Sequence, residues 1–299
     1  RDTACDLHTF PIQDADRIPA AELSRDRDDP RGEQARVTDE QRSPGSIVDG
    51  HPWGTPDQII ERVSELARQP NAKAAVQSAR KKLHEVMALY LGDPDYDAAR
   101  AQLEAAYATG DAATVRVVCA ATMQAHDSTR ERLPLLDEFY PRIFAVTGVP
   151  HTVLDLACAL SPLAIPWMGL LPGARFFAYD IHRQRVDFLS AYLALAGVSG
   201  TALEQDILVD YPRESGDVAL LLKEIHRMEK RRKGIVLPLL DALDVRWIVL
   251  SSPTRSRTGR RAVKEAYREQ VHGILAARPW PVTEIEFANE LVYCIAKGP

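Results

Sequence analysis

The apolar residues of this chain recur with two different periods, and the change of period divides the chain into regions. Between residues 56 and 147 they recur at helical spacing, as in DQIIERVSELAR (57–68) and AKAAVQSARKKLHEVMALYL (72–91). Breaks at Asp93-Pro94 and Thr109-Gly110 separate the later helices. The pattern predicts a helical domain at residues 56–147, whose last three helices cover 95–108, 111–126 and 130–147.

From residue 148 onward the pattern becomes that of an α/β fold. Five short apolar strands are separated by connections of helix length, and their sequences are HTVLDLA, ARFFAYDI, LEQDIL, DVALLLKE and VRWIVLSS. This alternation is typical of a doubly wound parallel sheet. The last two apolar runs, VTEIEFA and ELVYCIAK, predict a terminal antiparallel hairpin that turns near Asn289. Such a hairpin favours the methyltransferase version of the Rossmann-like architecture, with seven strands at residues 148–299, over the dehydrogenase version.

Composition and charge set residues 1–55 apart. Of the 299 residues 45% are hydrophobic, which is enough for a full core. Residues 1–49, however, lack a periodic apolar pattern and carry 12 acidic against 7 basic side chains, so we expect a disordered acidic tail at 1–55. The other 250 residues hold 30 acidic and 30 basic side chains. Because no apolar run has membrane-spanning length, we expect a cytoplasmic protein that contacts no membrane.

The four cysteines, Cys5, Cys119, Cys158 and Cys294, lack the spacing of a metal site. Three of them lie in apolar runs. We therefore expect reduced thiols in the core and no bound metal.

Three aspartates follow successive predicted strands: Asp155 in VLDLA, Asp180 in FAYDI and Asp206 in LEQDI. Doubly wound sheets bind ligands outside the carboxyl ends of their strands. A carboxylate after the second strand suits ribose, because it can accept hydrogen bonds from two vicinal hydroxyls. The first loop has Ala157 and Ala159 where a dinucleotide-binding loop would have glycines, which is compatible with S-adenosylmethionine because this cofactor has no pyrophosphate. The alternative is that the strands end in aspartate by chance.

Five segments carry a more specific signal: STRERLPLLDEFY (128–140), VLDLACALSPLAIPWMGLLP (153–172), YDIHRQRVDFL (179–189), DVALLLKEIHRMEKRRKG (217–234) and EIEFANELVYCIAK (284–297). Over about residues 57–297 the chain resembles the aminoglycoside-resistance 16S ribosomal RNA methyltransferases. It most resembles the branch from antibiotic producers that methylates N7 of a guanine in the decoding-site helix. Members usually read ACGLNP in the first loop, whereas this chain reads ACALSP, with Ala159 and Ser161 in place of Gly and Asn.

The resemblance implies the fold of the S-adenosylmethionine-dependent methyltransferases and a set of cofactor contacts. These are His126, Asp127, Ser128, Arg132, Ala157, Asp180, Asp206, Ile207, Leu222 and Arg231. Arg132 also has a chemical rationale, because a guanidinium can pair bidentately with the methionine carboxylate. The alternative for Arg132 is a surface pair with Glu131 or Asp137.

The chemistry implied by the resemblance requires no general base, because guanine N7 has an available lone pair. Positioning of the two reactants and electrostatic stabilisation of the transition state would account for the rate acceleration. Lys223, just after the fourth strand, is a candidate contact for guanine O6 or a phosphate, with a solvated lysine as the alternative. Trp167, His182 and His226 are candidates for stacking on an extruded base, and for each a core or surface position is the competing interpretation.

Basic side chains concentrate in three clusters, around residues 73–84, 223–233 and 255–268. A single cluster is typical of a solvated face, but three beside a cofactor cleft favour an RNA backbone. The expected partner is 16S ribosomal RNA within the small ribosomal subunit, read by shape. We expect no DNA partner and a monomer. The residues assigned to RNA binding are Lys73, Arg80, Lys81, Arg227, Lys230, Arg232, Lys233, Arg255, Arg257, Arg260 and Arg261.

Three other functions stay open on the sequence. The chain could methylate N1 of an adenine in the same RNA helix, as a related resistance enzyme does. It could be a small-molecule methyltransferase, if the basic clusters are dispersed on the folded surface. It could also be an RNA-binding protein without catalytic activity, since the first loop departs from the usual motif.

Overall fold

The computed structural model describes residue Ala74 and residues 93–254 and 263–298. These residues belong to one compact unit that spans Gly50–Pro299. The predicted acidic tail and, apart from Ala74, the helices predicted between residues 57 and 91 lie outside the described residues. The same is true of seven predicted RNA-binding residues: Lys73, Arg80, Lys81, Arg255, Arg257, Arg260 and Arg261.

Four helices precede the sheet: α1 (Tyr96–Ala108), α2 (Ala112–Met123), α3 (Asp127–Arg130) and α4 (Leu136–Thr147). Asp95 and Asp111 cap α1 and α2, since each side chain accepts hydrogen bonds from backbone N–H groups of the first turn. The sequence predicted both of these starts to within a residue. The helix predicted over 130–147 is interrupted by a 3₁₀ turn at Leu133–Leu135. Pro134 suits such a turn, because its missing N–H falls where a helix start has no intrahelical partner.

The sheet has seven strands: β1 (Thr152–Leu156), β2 (Arg175–Asp180), β3 (Ser199–Glu204), β4 (Gly216–Leu222), β5 (Val245–Pro253), β6 (Val282–Glu286) and β7 (Glu290–Ala296). Their order is β3-β2-β1-β4-β5-β7-β6. The first five are parallel, whereas β7 runs antiparallel to both β5 and β6. The predicted fold class, a doubly wound sheet that ends in an antiparallel hairpin, is confirmed.

The third strand lies earlier in the chain than the sequence predicted. Its paired residues are Ser199–Glu204 rather than LEQDIL, and Asp206 lies in the following turn, where Asp206 Oδ1 accepts from the backbone N–H of Leu208 at 3.1 Å. Gly200 explains the shift, because a Cβ at this position would lie 2.0 Å from the carbonyl oxygen of Phe176 on β2. The sequence around Gly200 lacks the apolar run by which buried strands are recognised.

The remaining helices cover the two faces of the sheet: α5 (Ile165–Met168), α6 (Arg183–Leu195), α7 (Ile225–Arg231), α8 (Val236–Ala242) and α9 (Val263–Leu275). Alternate residues of β4 enter different apolar clusters, with Leu220 on one side and Leu221 on the other. One cluster includes residues of α1, α2, α4 and α6, and the other includes residues of α7, α8 and α9. Helices α1, α2 and α4 therefore share a core with the sheet, and the domain boundary near residue 147 stays a prediction.

Two expectations about the chain as a whole can be compared with the described residues. Cys119, Cys158 and Cys294 are buried free thiols, as expected, while Cys5 lies outside the described residues. Among the described helices, none combines the length and the apolar character needed to cross a lipid bilayer.

Candidate active site

The loop after β1 has an unusual backbone conformation. Ala157 and Ala159 both have φ of +50°, a region that residues other than glycine rarely adopt. The loop is bonded to the end of β2, because the N–H of Cys158 donates to the carbonyl of Tyr179 at 2.9 Å and the N–H of Ala159 donates to Asp180 Oδ2 at 3.0 Å. Two strained residues in a loop at the carboxyl end of a parallel sheet mark a candidate ligand site.

Asp180, the last residue of β2, is 4% exposed and has three donors. Its Oδ2 accepts from Ala159 N and from Arg185 Nη1, both at 3.0 Å, and its Oδ1 accepts from His182 N at 2.9 Å. Arg185 is completely buried and also donates to Asp93 through Nε and Nη2, at 3.2 and 2.6 Å. The predicted ribose-binding carboxylate is thus fixed by the loop, by helix α6 and by the segment before α1.

Asp155, on β1, is 1% exposed, and its Oδ2 has no hydrogen-bond partner among the described residues. Burial raises the pKa of this carboxyl group to about 8, although a hydrogen bond with Ser161 and the charge of Arg132 oppose the rise. Asp155 is therefore mostly protonated at neutral pH. Because buried polar atoms in folded proteins nearly always have a partner, Oδ2 of Asp155 is a candidate contact for a ligand at this edge.

Arg132 forms a buried ion cluster with Glu290, Lys223 and Ser251, and the half-exposed Glu131 also contacts this cluster. Arg132 donates through Nε and Nη2 to the two carboxylate oxygens of Glu290, at 3.2 and 2.9 Å. Lys223 Nζ lies 2.9 Å from Glu131 Oε2 and 3.3 Å from Glu290 Oε2. Ser251 Oγ donates to Glu290 Oε1 at 2.6 Å. The cluster joins the RERLP segment to the ends of β4 and β5 and the start of β7.

Charge compensation within the buried ion cluster favours the ionised form of Glu290. Burial alone would raise the pKa of Glu290, but the charges of Arg132 and Lys223 hold that pKa below its ordinary value. Arg132 is 1% exposed, so the alternative of a surface pair with Glu131 or Asp137 is wrong. The N–H groups of Arg132 that Glu290 does not use have no hydrogen-bond partner among the described residues.

Lys223 has an environment different from the one predicted for it. Its side chain is 5% exposed and its ammonium group contacts Glu131 and Glu290, so Lys223 is neither a solvated lysine nor an open contact for an incoming base. Its φ is +64°, and its N–H donates to Ser251 Oγ at 3.0 Å. In this structure Lys223 pairs with one buried and one exposed carboxylate, and its role as a contact for the target base stays a prediction.

The other predicted cofactor contacts lie around the same edge. His126 is 2% exposed, precedes α3 and lies 2.9 Å from Ser128 Oγ through Nδ1. Burial, followed by the charge of Arg185, lowers the pKa of His126 to about 4, so its imidazole is neutral. Asp127 instead pairs with Arg130 on the exposed side of α3.

On the far side of the edge, two predicted cofactor contacts bind each other. Arg231 Nη2 lies 3.2 Å from Asp206 Oδ2, and both side chains are about one-third exposed. Ile207 and Leu222 are buried in the apolar clusters of opposite faces of the sheet. A ligand at Asp206 would therefore have to share that carboxylate with Arg231.

The three candidate stacking residues have partners within the protein. Trp167 donates through Nε1 to Asp137 at 3.1 Å, and His182 caps α6 by accepting from the N–H of Arg185. His226 packs against Tyr267, with ring centroids 4.8 Å apart. Their packing favours structural roles.

The basic clusters are only partly available to a partner. Lys230, Arg231, Arg232 and Lys233 are exposed around the end of α7. Arg227 pairs with Glu224 at 2.8 Å. On α9, Lys264 pairs with Glu286 at 2.7 Å and Arg268 pairs with Glu284 at 2.6 Å. Within the described part of the predicted clusters, residues 230–233 form the longest run of exposed basic side chains.

Sequence reasoning missed Glu290, Arg185 and Asp93. Glu290 and Arg185 lie inside the segments that carry the family resemblance, but no spacing rule connects them to their partners. Arg132 and Glu290 are 158 residues apart in the sequence. Asp93 was interpreted only as part of a helix break, although it accepts from Arg185.

The residues at this edge fit S-adenosylmethionine. The orphaned Oδ2 of Asp155, Oδ1 of Asp180 and the remaining donors of Arg132 offer complementary partners to an ammonium group, a ribose and a carboxylate. The charge of an ammonium group bound beside Asp155 would favour its ionised form. The sheet order and this site together define an S-adenosylmethionine-dependent methyltransferase with a Rossmann-like fold.

Comparison with known proteins identifies the family. Residues 52–294 match the model of the family described as ribosomal RNA methyltransferase (FmrO), and the chain belongs to that family. The chain is 35% identical over 241 residues to a 16S rRNA (guanine(1405)-N(7))-methyltransferase of Micromonospora echinospora, covering 80% of this chain and 88% of the relative. It is 33% identical over 276 residues to a protein of the same name from Frankia casuarinae, covering 90% and 96%.

A solved structure supports the same conclusion. The 16S rRNA methyltransferase RmtF in complex with S-adenosyl-L-homocysteine is 29% identical, with a TM-score of 0.67, and the match covers 82% of this chain and 92% of that one.

Proposed function

We propose that this enzyme transfers a methyl group from S-adenosylmethionine to N7 of guanine 1405 in the 16S RNA of the small ribosomal subunit. One observation carries the proposal: the chain spans 88% and 96% of the length of two relatives named for this activity. The strand-edge site and the exposed cations at 230–233 agree with it. A ribosomal substrate supports a cytoplasmic location for the reaction.

The chain's own residues would bind the cofactor along the strand edge. Asp180 accepts from the ribose, and Arg132 uses the N–H groups that Glu290 leaves open to hold the methionine carboxylate. Asp206 and Arg231 lie on the adenine side. The other proposed contacts are His126, Asp127, Ser128, Ala157, Ile207 and Leu222.

The nature of the acceptor atom explains why the proposed reaction requires no general base. S-adenosylmethionine supplies an electrophilic methyl group when bound, and guanine N7 has a lone pair that needs no deprotonation. The protein therefore has only to orient the two reactants and to tolerate the positive charge that appears on the base. His126, neutral because its pKa is near 4, adds no opposing positive charge at neutral pH.

The site of methylation can be mapped directly. The full chain is expressed in an aminoglycoside-sensitive bacterium and its 16S RNA is treated with borohydride and aniline, which cleave at N7-methylguanosine. We expect cleavage at guanine 1405 with the unaltered protein and none with soluble Asp180→Ala protein. A reverse-transcription stop at an adenine without cleavage would identify the N1 activity instead. Soluble protein that binds S-adenosylmethionine but leaves the RNA unmethylated would contradict the proposal.

Methylation should also change drug susceptibility. A methyl group on N7 adds bulk and positive charge to the edge of the guanine toward which the ammonium groups of kanamycin and gentamicin are expected to bind. Loss of one contact and like-charge repulsion would cost about 3 kcal/mol or more, which is at least about a hundredfold in affinity. We expect high-level resistance to these drugs in growth assays and unchanged susceptibility to antibiotics that act on the large subunit. Full kanamycin susceptibility of a host with methylated guanine 1405 would contradict the predicted resistance and leave the methylation activity standing.

A further inference from the structure

The carboxylate of Glu131 is exposed to solvent but held in place. Glu131 follows directly after α3, and its side chain is 50% exposed. Its Oε2 accepts from the ammonium group of Lys223 at 2.9 Å, and Lys223 also pairs with the buried Glu290 at 3.3 Å. The backbone carbonyl of Glu131 accepts from the side-chain amide of Asn289. A half-exposed carboxylate is thus anchored through one of its oxygens and through its backbone.

Glu131 also borders the proposed cofactor site. The next residue, Arg132, is proposed to hold the methionine carboxylate, and Lys223 comes just after β4, at the edge where parallel sheets bind ligands. The target base has to approach this edge to meet the methyl group. A fixed negative charge beside that path suits a base that becomes positive when it is methylated.

Guanine and adenine differ in what they offer to a carboxylate. The Watson–Crick edge of guanine has two neighbouring donors, N1–H and N2–H₂, and a carboxylate can accept from both in parallel. Adenine has a lone pair on N1, which a carboxylate repels. N7 lies on the other side of the ring system, so the Watson–Crick edge can contact the protein once the base has left its pair in the RNA helix.

The same contact would become stronger during the reaction. As N7 bonds to the methyl carbon, the carbon–sulfur bond breaks, its electron pair stays on sulfur and the positive charge passes to the base. The charge makes N1–H a stronger donor. A hydrogen bond from N1–H to a carboxylate therefore stabilises the transition state more than the ground state.

We propose that Glu131, held by Lys223, accepts hydrogen bonds from N1–H and N2–H₂ of the target guanine and selects guanine over adenine. This inference rests on the proposed function, because it assumes that a guanine reacts at N7 in this site. It predicts that the base preference depends on Glu131, which a purely structural role of Glu131 beside the ion cluster does not produce.

The test uses the full chain and small subunits reconstituted with either guanine or adenine at position 1405. The N7-methylguanine and N7-methyladenine formed are released by acid and measured by mass spectrometry. In Glu131→Gln, kcat/KM for guanine should fall about tenfold to a hundredfold, because hydrogen bonds to a charged group are lost. The new amide can donate to adenine N1 and accept from N6–H₂, so this variant should methylate the adenine subunits measurably.

Two further variants are controls. Glu131→Asp keeps the charge on a shorter side chain and should keep the preference for guanine at a lower rate. Glu138 is 52% exposed and pairs with Arg142 at 3.2 Å, so Glu138→Gln removes the same charge from a similar pair and should change neither rate. Calorimetry with S-adenosylhomocysteine shows whether each variant is folded and still binds the cofactor.

The outcomes separate this inference from the proposed function. An unchanged rate of Glu131→Gln on guanine would overturn the role of Glu131. Equal losses on both bases, or no methylation of the adenine subunits by Glu131→Gln, would overturn it as well. Absence of N7-methylguanine with the unaltered, cofactor-binding protein would instead contradict the proposed function itself, and this inference with it.

Discussion

At the scale of single residues, Ala159 has a backbone conformation that glycine adopts at less cost. Its φ of +50° costs an alanine about 1–2 kcal/mol, while glycine pays about 0.5–1 kcal/mol in lost chain entropy. Ala159→Gly should therefore raise the free energy of unfolding by up to about 1 kcal/mol in urea titrations. Ala196→Gly, at φ of −72°, is the matched control and should be destabilising. Destabilisation by both substitutions would show that the loop is unstrained.

Asp155 should make stability depend on pH in an unusual direction. Its folded-state pKa is about 8, against an ordinary value near 3.8, so the folded chain binds a proton that the unfolded chain has lost between these two values. The contribution of Asp155 to the free energy of unfolding is complete below about pH 4 and is lost as the pH rises through about 8. The free energy of unfolding changes by at most about 1.4 kcal/mol per pH unit because of this group.

The substitution Asp155→Asn removes this titration with little change of shape. The unfolding free energy of the variant relative to the unaltered protein should rise between pH 5 and pH 8, as measured by urea titration without cofactor. Parallel pH profiles for the two proteins would mean that Asp155 is ionised in the folded state.

The sequence predicts the positions of site residues that are set by their own strand, but not those that are set by distant contacts. Asp155 and Asp180 follow apolar strands, and the carboxyl ends of parallel strands meet at one edge, so both could be placed in advance. The partners of Arg132 and Lys223 could not, because burial and pairing depend on contacts between distant segments. A lysine after a strand looks solvated until the carboxylates around it are known.

At the scale of secondary-structure elements, the buried ion cluster connects the RERLP segment to the start of the terminal hairpin. Glu290 neutralises two buried cations, Arg132 and Lys223. Breaking such a pair by removing one partner costs about 3–5 kcal/mol. Glu290→Gln should therefore lower the free energy of unfolding by that amount. Glu286→Gln, in the same hairpin, removes a 60% exposed side chain that pairs with Lys264 and should cost less than about 1 kcal/mol.

The pH dependence of stability tests the same contribution of Glu290. Because the folded-state pKa of Glu290 is lowered, its contribution is present above its ordinary pKa of 4.5 and is lost as the pH falls through the folded value. The difference in stability between the unaltered protein and Glu290→Gln should narrow on acidification. Equal costs for the two glutamine variants at neutral pH would show that the cluster contributes no more than a surface pair.

The elements themselves were predictable where one physical signal dominated. Continuous apolar runs identified β1, β2, β4 and β5, and the polar turn at Asn289 identified the hairpin. The third strand was misplaced because an edge strand that includes Gly200 carries little apolar signal, and its register depends on close approach to Phe176.

At the scale of the whole molecule, the exposed cations at residues 230–233 predict how binding to the ribosomal subunit responds to salt. Each basic side chain that contacts a phosphate releases a counterion, which contributes about 0.7–0.9 to the slope of log affinity against log salt concentration. Lys230→Ser and Lys233→Ser should each reduce the slope for small-subunit binding by about that amount and weaken binding most at low salt. Arg246 is an exposed arginine at the amino end of β5. Arg246→Ser removes the same charge far from the strand-edge site and should leave the slope unchanged.

Measurement of subunit affinity at four or more salt concentrations, with cofactor affinity as a check on folding, distinguishes these cases. If all three variants lower the slope equally, net charge and not a localised RNA contact accounts for binding, and this surface has no special part in recognising the subunit.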